Sequence, residues 1–326
     1  MKKTLVSGIQ SSGKLHIGNY FGAIRQNVAL GNSDDFEEAY IFLADYHSMT
    51  TLTDPSERKA NTFDAACTYL AFGLDPHKAT LFKQSDVPEV HELTWVLNTV
   101  TPVPMLELAH AYKSKAEEGS IINAGVFDYP VLMASDILIY DGEVVPVGKD
   151  QEQHVEIARE LAGKYNRAYG NLLKLPQAFI KADVATVPGI DGGKMSKSKN
   201  NHIPLFGTPE DTKKRIMSIV TDSATPEDKK DPDTNNIYNI HKLFLTPEED
   251  AELRAKFANG GYGYKEAKEA LLATFTAWIA PYRVKYDHYT THQEEVLEIL
   301  HNGGLKARAK AQEKVKSLRV ATGLEL

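Results

Sequence analysis

The sequence predicts an α/β fold: a Rossmann-like, doubly wound parallel sheet followed by a C-terminal all-helical domain. Three observations carry that expectation. Short apolar runs alternate with stretches of helical spacing through the first 204 residues, which is how strands and crossover helices are laid out in a parallel sheet. Glycine-containing polar turns stand where strand gives way to helix, as at GlnSerSerGly 10–13 and GlyLysAspGln 148–151. From residue 205 onward almost every segment has helical spacing.

The elements follow in order. Thr4 to Ile9 reads as the first strand, and a helix with Tyr20, Ala23, Ile24 and Val28 on one side starts near Gly18, with Asn19 as its expected cap. Ala39 to Ala44 is a buried-strand run; Asp54-Pro55-Ser56 opens a helix through Phe72. Thr80 to Lys83 is a strand, and Val87-Pro88-Glu89 begins a helix reaching Thr99. Residues 101–125, with two prolines and a polar run, break the alternation as a short insertion. A helix beginning near Tyr129 and Pro130 is followed by a strand over Glu143 to Gly148, another helix, and a last strand over Phe179 to Val187. Thr208-Pro209-Glu210-Asp211 has the cap, proline and acids of a helix start. Gly303-Gly304 is expected to separate off a final helix. The expected domains are 1–204, carrying the insertion and a loop at 192–201, and 205–326.

Composition narrows the function classes. A chain of 326 residues can bury a sizeable core and divide into two domains. The single cysteine, Cys67, excludes a disulfide framework and a cysteine-cluster zinc site, and no dedicated metal site is expected. No apolar run approaches membrane-spanning length, and the opening MKKTLVSGIQ lacks the apolar stretch of a signal peptide, so a cytoplasmic protein is expected. A net charge of -7 argues against binding along nucleic acid over the whole surface, while leaving room for a local basic face. Such a face exists near the C-terminus, where 305–319 holds six basic residues and one acid; phosphates or plain water would both suit it.

The stretch GGKMSKSKNN (192–201) cannot be core, because Met195 is its only apolar residue. Its glycines leave the backbone mobile, and the ammonium groups of Lys194 and Lys197 suit a polyphosphate as well as they suit solvent. The turn at Gln10, Ser11 and Ser12 before the helix at Gly18 and Asn19 points backbone N–H groups at an anion, and His16 beside it has a ring N–H for a phosphate oxygen. His47, just past the second strand, stands where parallel sheets bind ligands; it also suits a buried, hydrogen-bonded histidine. Tyr129, Met133, Asp136 and Tyr140 fall on one helix face at i, i+4, i+7 and i+11. Burying that carboxylate costs several kcal/mol unless something donates to it, either a ligand or a local protein donor.

His16–Asn19 (HIGN) and Lys194–Ser198 (KMSKS) together resemble the paired motifs of the class I aminoacyl-tRNA synthetases. The opening SGIQ, the runs FDYPVLMASDILIY (127–140) and VPVGKDQEQHVE (145–156), and VTDS (220–223) are similar to the tryptophanyl branch. The resemblance covers most of the chain. It implies adenylate formation from L-tryptophan and ATP, with magnesium accompanying the nucleotide, then transfer to tRNA(Trp). His16, Lys194 and Lys197 would be the catalytic residues. Gln10, Ser11, Ser12, Gly18, Asn19, Gly148, Lys149, Asp150, Val187 and the loop residues Lys194, Met195, Ser196, Lys197 and Ser198 would bind ATP. Tryptophan would be held by Gly8, His47, Tyr129, Met133, Asp136, Val145, Val147 and Gln151, with Asp136 accepting the indole N–H. It further implies a homodimer formed around the insertion, an anticodon-binding helical domain whose end packs back on the catalytic domain, and no membrane partner.

The chain departs from that pattern at Ser11 (commonly Pro), His16 (often Thr), Ala111 (often Gln), Lys149 (usually Glu) and Lys199 (commonly Asp). A tyrosyl enzyme shares the architecture, although a phenol wants partners for its hydroxyl that valines do not supply. A synthetase-like paralogue with a non-translational binding role would have no need of the intact lysine motif.

Overall fold

The computed structural model describes residues 2–109, 112–113, 117, 122–181 and 187–325. Its elements are β1 (Lys3–Gln10), α1 (Ile17–Asn19), a π turn (Tyr20–Ile24), α2 (Arg25–Gly31), β2 (Phe36–Ala44), α3 (Asp45–Ser48), α4 (Pro55–Ala71), β3 (Thr80–Lys83), α5 (Glu89–Asn98) and α6 (Val103–Glu107). There follow α7 (Ala124–Leu138), β4 (Val144–Pro146), α8 (Glu152–Tyr169) and β5 (Gln177–Phe179). The remainder is helical: α9 (Pro209–Met217), α10 (Asn236–His241), α11 (Pro247–Asn259), α12 (Tyr264–Thr291) and α13 (Gln293–Thr322). Part of the expected insertion, including Ala111, and the middle of the expected last strand lie outside the described residues.

The chain forms two compact units, and a single cut at 204/205 does not separate them. One unit joins Met1–Gly13, Arg25–Asp183 and Tyr289–Leu326; the other joins Lys14–Ile24 and Val184–His288. In the first unit five parallel strands run in the order β3-β2-β1-β4-β5, as the alternation predicts. Val6, Tyr40, Phe42 and Phe82 of the sheet share one core with Leu93, Leu97, Val131, Ala134, Leu161 and Tyr165 of the helices.

α7 begins at Ala124, earlier than expected, because the Asn123 side chain accepts from Val126 N at 2.9 Å and caps it; Pro130 lies inside the helix. Two isolated signals compete there, and the cap wins. α13 is likewise continuous through Gly303 and Gly304, which were expected to break it. A Cβ on Gly303 would overlap the Leu81 carbonyl, and one on Gly304 would stand 2.9 Å from Asp86 Cβ. The pair therefore lets the helix lie against β3 rather than ending it.

Ala307, Ala311, Val315 and Leu318 continue that contact on one face of α13, all buried in the sheet's core. The basic residues of the same helix are engaged by carboxylates: Arg308 with Glu89 at 2.9 Å, Arg319 with both oxygens of Glu92 at 2.6 Å, and Lys310 and Lys314 with Asp141. Four of the six cations that composition offered to phosphates thus face acids of their own unit. An exposed pair such as Arg319–Glu92 stabilises only weakly, while Lys314 with Asp141 is more enclosed; the apolar face and close approach add to both.

In the second unit α9 is capped by Thr208, whose hydroxyl accepts from Asp211 N at 3.1 Å, as its sequence predicts. Ile237, Tyr238, Leu253, Phe257, Leu271 and Phe275 of α10 to α12 are buried. Among the described residues no helix is long and apolar enough to cross a membrane.

Two glycines should respond oppositely to alanine. Gly303→Ala meets backbone and is expected to destabilise by about 3 kcal/mol or more; Gly163→Ala, inside α8 with its nearest neighbour at 3.5 Å, should gain up to about 1 kcal/mol. Urea unfolding midpoints of the two variants test both signs.

Candidate active site

In the first unit the polar residues gather beyond the carboxyl ends of β2 and β3. Asp136, on α7, is 2 % exposed. Its Oδ2 accepts from Gln84 Nε2 at 2.7 Å and from His47 Nε2 at 2.8 Å. Gln84 directly follows β3, and its Oε1 accepts from the backbone N–H groups of Tyr46 and His47 at 3.0 and 3.3 Å. One carboxamide therefore fixes the start of α3 with its oxygen and the carboxylate with its nitrogen. Gln10, ending β1, donates from Nε2 to the His47 carbonyl at 3.2 Å. The carboxylate predicted to need a donor has two from the protein, neither of them an arginine or a backbone N–H. His47 is a hydrogen-bonded histidine that stands within this polar cluster.

A second chain of bonds runs beside this one. Tyr129 Oη lies 2.8 Å from His154 Nε2, His154 Nδ1 lies 3.1 Å from Gln151 Oε1, and Gln151 Nε2 donates to Asp150 Oδ2 at 3.3 Å. Burial pushes the Tyr129 hydroxyl up to about 12, so it keeps its proton near neutrality. The His47 and Tyr129 rings meet edge to face with centroids 5.9 Å apart, joining the two chains. Met133 and Val147 are partly buried and packed against the core, whereas Val145 is 2 % exposed within it. Lys149 and Asp150 are exposed.

One expectation in the first unit is corrected. The Ser11 side chain is fully buried, its hydroxyl accepting from Thr62 Oγ1 at 3.0 Å, so it offers nothing to a phosphate. Ser12, next to it, is half-buried. The absence of a side chain at Gly8 is required by Phe42, whose Cζ would lie 2.5 Å from a Cβ there.

In the second unit His16 is the residue before α1, and Asn19 is not the cap residue but reaches back from the first turn, its Oδ1 accepting from His16 N at 3.1 Å. A Cβ at Gly18 would stand 3.0 Å from His16 Nδ1, so this glycine makes room for the ring. Burial, then the charge of Lys197, then His202 lowers His16 to about 3. The ring is therefore neutral near pH 7 and has a hydrogen bond to offer rather than a charge. The His202 ring stands 5.4 Å away, and burial, Arg215 and Lys197 also lower its value.

The lysine-bearing loop is shaped by a residue at its far end. Asn201, 2 % exposed, accepts from Ser196 N at 2.7 Å and donates to Asp191 Oδ1 at 2.8 Å and to the Lys194 carbonyl at 3.1 Å. Gly189 leaves room for this amide, and Gly192 takes a φ of 84° in the turn. Met195 is buried, with its N–H bonded to the carbonyl of the buried Val187 at 3.0 Å, which anchors the loop at its middle. Lys194 and Ser198 are exposed, and Ser196 and Lys197 are half-buried. The Ser196 and Ser198 hydroxyls bond to each other at 2.8 Å. Arg215 secures the exit, donating to the His202 carbonyl at 2.9 Å and to Asn200 Oδ1 at 3.2 Å.

Sequence reasoning missed Gln84, His154, Asn201 and His202. A lone glutamine at the end of an apolar strand and a histidine one turn into α8 were the available signals for the first two. Asn201 had none beyond adjacency to the loop.

Comparison with known proteins places these features in context. Residues 2–279 match the family model described as tRNA synthetases class I (W and Y). The tryptophan–tRNA ligase of Fusobacterium nucleatum is 49 % identical over 325 residues, covering 99 % of this chain and 98 % of the relative. That of Rhodopirellula baltica is 46 % identical over 320 residues, covering 98 % and 99 %. Among solved structures, the Campylobacter jejuni tryptophanyl-tRNA synthetase complexed with ADP and tryptophan superposes with a TM-score of 0.89 at 44 % identity, covering 98 % of this chain and 99 % of that one.

Histidines held neutral by burial give the second unit a pH dependence. His16 is lowered to about 3 and His241, bonded to Thr274 Oγ1 at 2.9 Å, to about 4, from an ordinary 6.5. On acidification the unfolded chain takes up these protons first, so their stabilisation is present above 6.5 and is lost as pH falls toward the folded values. Unfolding midpoints should drop from about pH 7 to about pH 5, with a slope of up to about 1.4 kcal/mol per unit for each histidine. His241→Gln should make that fall shallower.

Proposed function

Because the chain belongs to the class I tRNA synthetases of the W and Y family, we propose that it is a tryptophan–tRNA ligase, activating L-tryptophan with ATP and transferring it to tRNA(Trp). Similarity to tryptophan–tRNA ligases over nearly the whole of both chains supports the assignment. The observation that carries it in the geometry is Asp136: a buried carboxylate beside Tyr129 and Met133, with two donors converging on Oδ2. An indole N–H donating to Oδ1 completes the arrangement. A site built around such an acceptor rejects analogues lacking the N–H by roughly 10^4 to 10^5, so no editing domain is required.

The reaction has two steps. A carboxylate oxygen of tryptophan attacks the α-phosphorus of ATP and pyrophosphate leaves; a ribose hydroxyl at the tRNA terminus then attacks the acyl carbon and AMP leaves. The first unit's residues orient the amino acid, with Val145, Val147 and Met133 as apolar surroundings and Gln151 toward its polar end. Lys194 and Lys197 stabilise negative charge developing on the phosphates, and the neutral His16 donates a hydrogen bond. Gln10, Ser12, Gly18, Asn19 and the backbone of Gly148 to Asp150 position the nucleotide. Magnesium enters with ATP. The helices of 209–288 are assigned the anticodon end of the tRNA; a cytoplasmic homodimer is the working assembly.

Amino-acid-dependent ATP–pyrophosphate exchange tests the assignment. Exchange with tryptophan and none with tyrosine is expected; exchange with tyrosine would overturn the pocket, and silence with both would overturn the activity. Lys197→Ala should slow exchange by about 10^2 to 10^3 while leaving tryptophan affinity within about threefold. Equal losses in rate and affinity would make the loop a binding surface only.

A further inference from the structure

His154 is a buried imidazole with both nitrogens engaged. Gln151 Oε1, 3.1 Å from Nδ1, can only accept, so Nδ1 carries a proton. The carboxamide orientation is consistent with this: its Nε2 faces Asp150 Oδ2, whereas the reversed amide would set oxygen against a carboxylate oxygen. Where that is the ring's single proton, Nε2 accepts, and the Tyr129 hydroxyl, which keeps its proton, donates to it. The direction of the whole chain is thereby fixed: Tyr129 to His154, His154 to Gln151, Gln151 to Asp150.

The direction has a chemical consequence. Tyr129 has its only proton committed to His154, so its oxygen faces any further partner as an acceptor. Gln151 Oε1 holds a second lone pair. An ammonium group has three donors and no acceptor, and two oxygens locked as acceptors are what it requires. With the opposite tautomer, the tyrosine proton would be released toward the ligand and would oppose it.

We propose that His154 is a positioning residue for the amino acid: as the Nδ1–H tautomer it commits Tyr129 and Gln151 to act as acceptors for the substrate's α-ammonium group. This rests on the tryptophan–tRNA ligase assignment. The side chain does not itself touch substrate, and its effect is confined to recognition of the ammonium group rather than the indole.

The test compares binding of L-tryptophan with binding of indole-3-propionate, which has the same ring and carboxylate but no amino group. The intact protein should prefer tryptophan by at least about tenfold, the worth of a charge-assisted hydrogen bond. In His154→Leu that preference should collapse to within about threefold, with indole-3-propionate affinity unchanged. His154→Gln, which keeps a donor and an acceptor, should restore part of it. Retained preference in His154→Leu, or equal loss of both ligands, overturns the proposal, the latter showing a merely structural role. Failure of the intact protein to bind tryptophan would instead overturn the ligase assignment on which it rests. Nitrogen-15 spectra of histidine-labelled intact protein read the tautomer without any variant: protonated Nδ1 with bare Nε2 supports the proposal, and the reverse overturns it.

Discussion

A carboxylate taken almost wholly out of water must find its donors in fixed places, and Asp136 imposes that condition on three separate elements. Its partners come from the ends of two adjacent strands. β2 and β3 are in register with Leu43 opposite Lys83, so the residues that follow them, Ala44 and Gln84, emerge at the same level of the sheet. From there Gln84 can hold the first N–H groups of α3 and the Asp136 carboxylate at once. Slipping either strand by one residue would turn Gln84 to the wrong face and leave the charge unpaired. The register of the parallel sheet and the polarity of the pocket are thus one constraint.

That constraint also explains which parts were legible in the sequence. The first three strands were, because apolar runs of four to nine residues with short turns between them allow few other readings, whereas the three-residue β5 (Gln177–Phe179) ends where the last strand was expected to begin. Asp136 was, because a carboxylate on a face of tyrosine and methionine is out of place. Its protein donors were not, since a single glutamine beyond a strand has no periodicity to betray it. Gly303 and Gly304 were misread for a different reason. Two glycines carry the same signal whether they end a helix or admit a neighbouring backbone, and only the position of the Leu81 carbonyl decides between them. Periodicity, with a helix taken to be broken at residue 303, gave no reason to expect one long face of Ala307, Ala311, Val315 and Leu318 against the sheet, and only the resemblance implied that the end of the chain packs back there.

The loop at 192–201 shows how far a motif can be read and where reading stops. Its lysines carry the resemblance, but its shape comes from Asn201, whose amide bonds to Ser196, Asp191 and Lys194. Removing the glycine at 189 would fill the space that amide occupies. His16 makes the same point about charge. From its letter it could be a cation, a hydrogen-bond donor or a cap; burial beside Lys197 leaves the neutral donor. Environment, rather than residue type, selects the role.

Lysines distribute themselves by the same logic. Lys230 is buried, its ammonium bonded to the carbonyls of Thr225, Pro226 and Asp228, and it serves the fold. Lys314 bonds to Asp141 and helps to fix α13. Lys194 stands exposed on a backbone held by Asn201 from one side, and Met195 beside it is anchored through Val187. A lysine on a flexible four-carbon stem is aimed first of all by its backbone, so what fixes that backbone bounds where the ammonium can reach. Net charge, -7 for the whole chain, carries none of this information. What decides whether a lysine serves structure or ligand is what holds it in position.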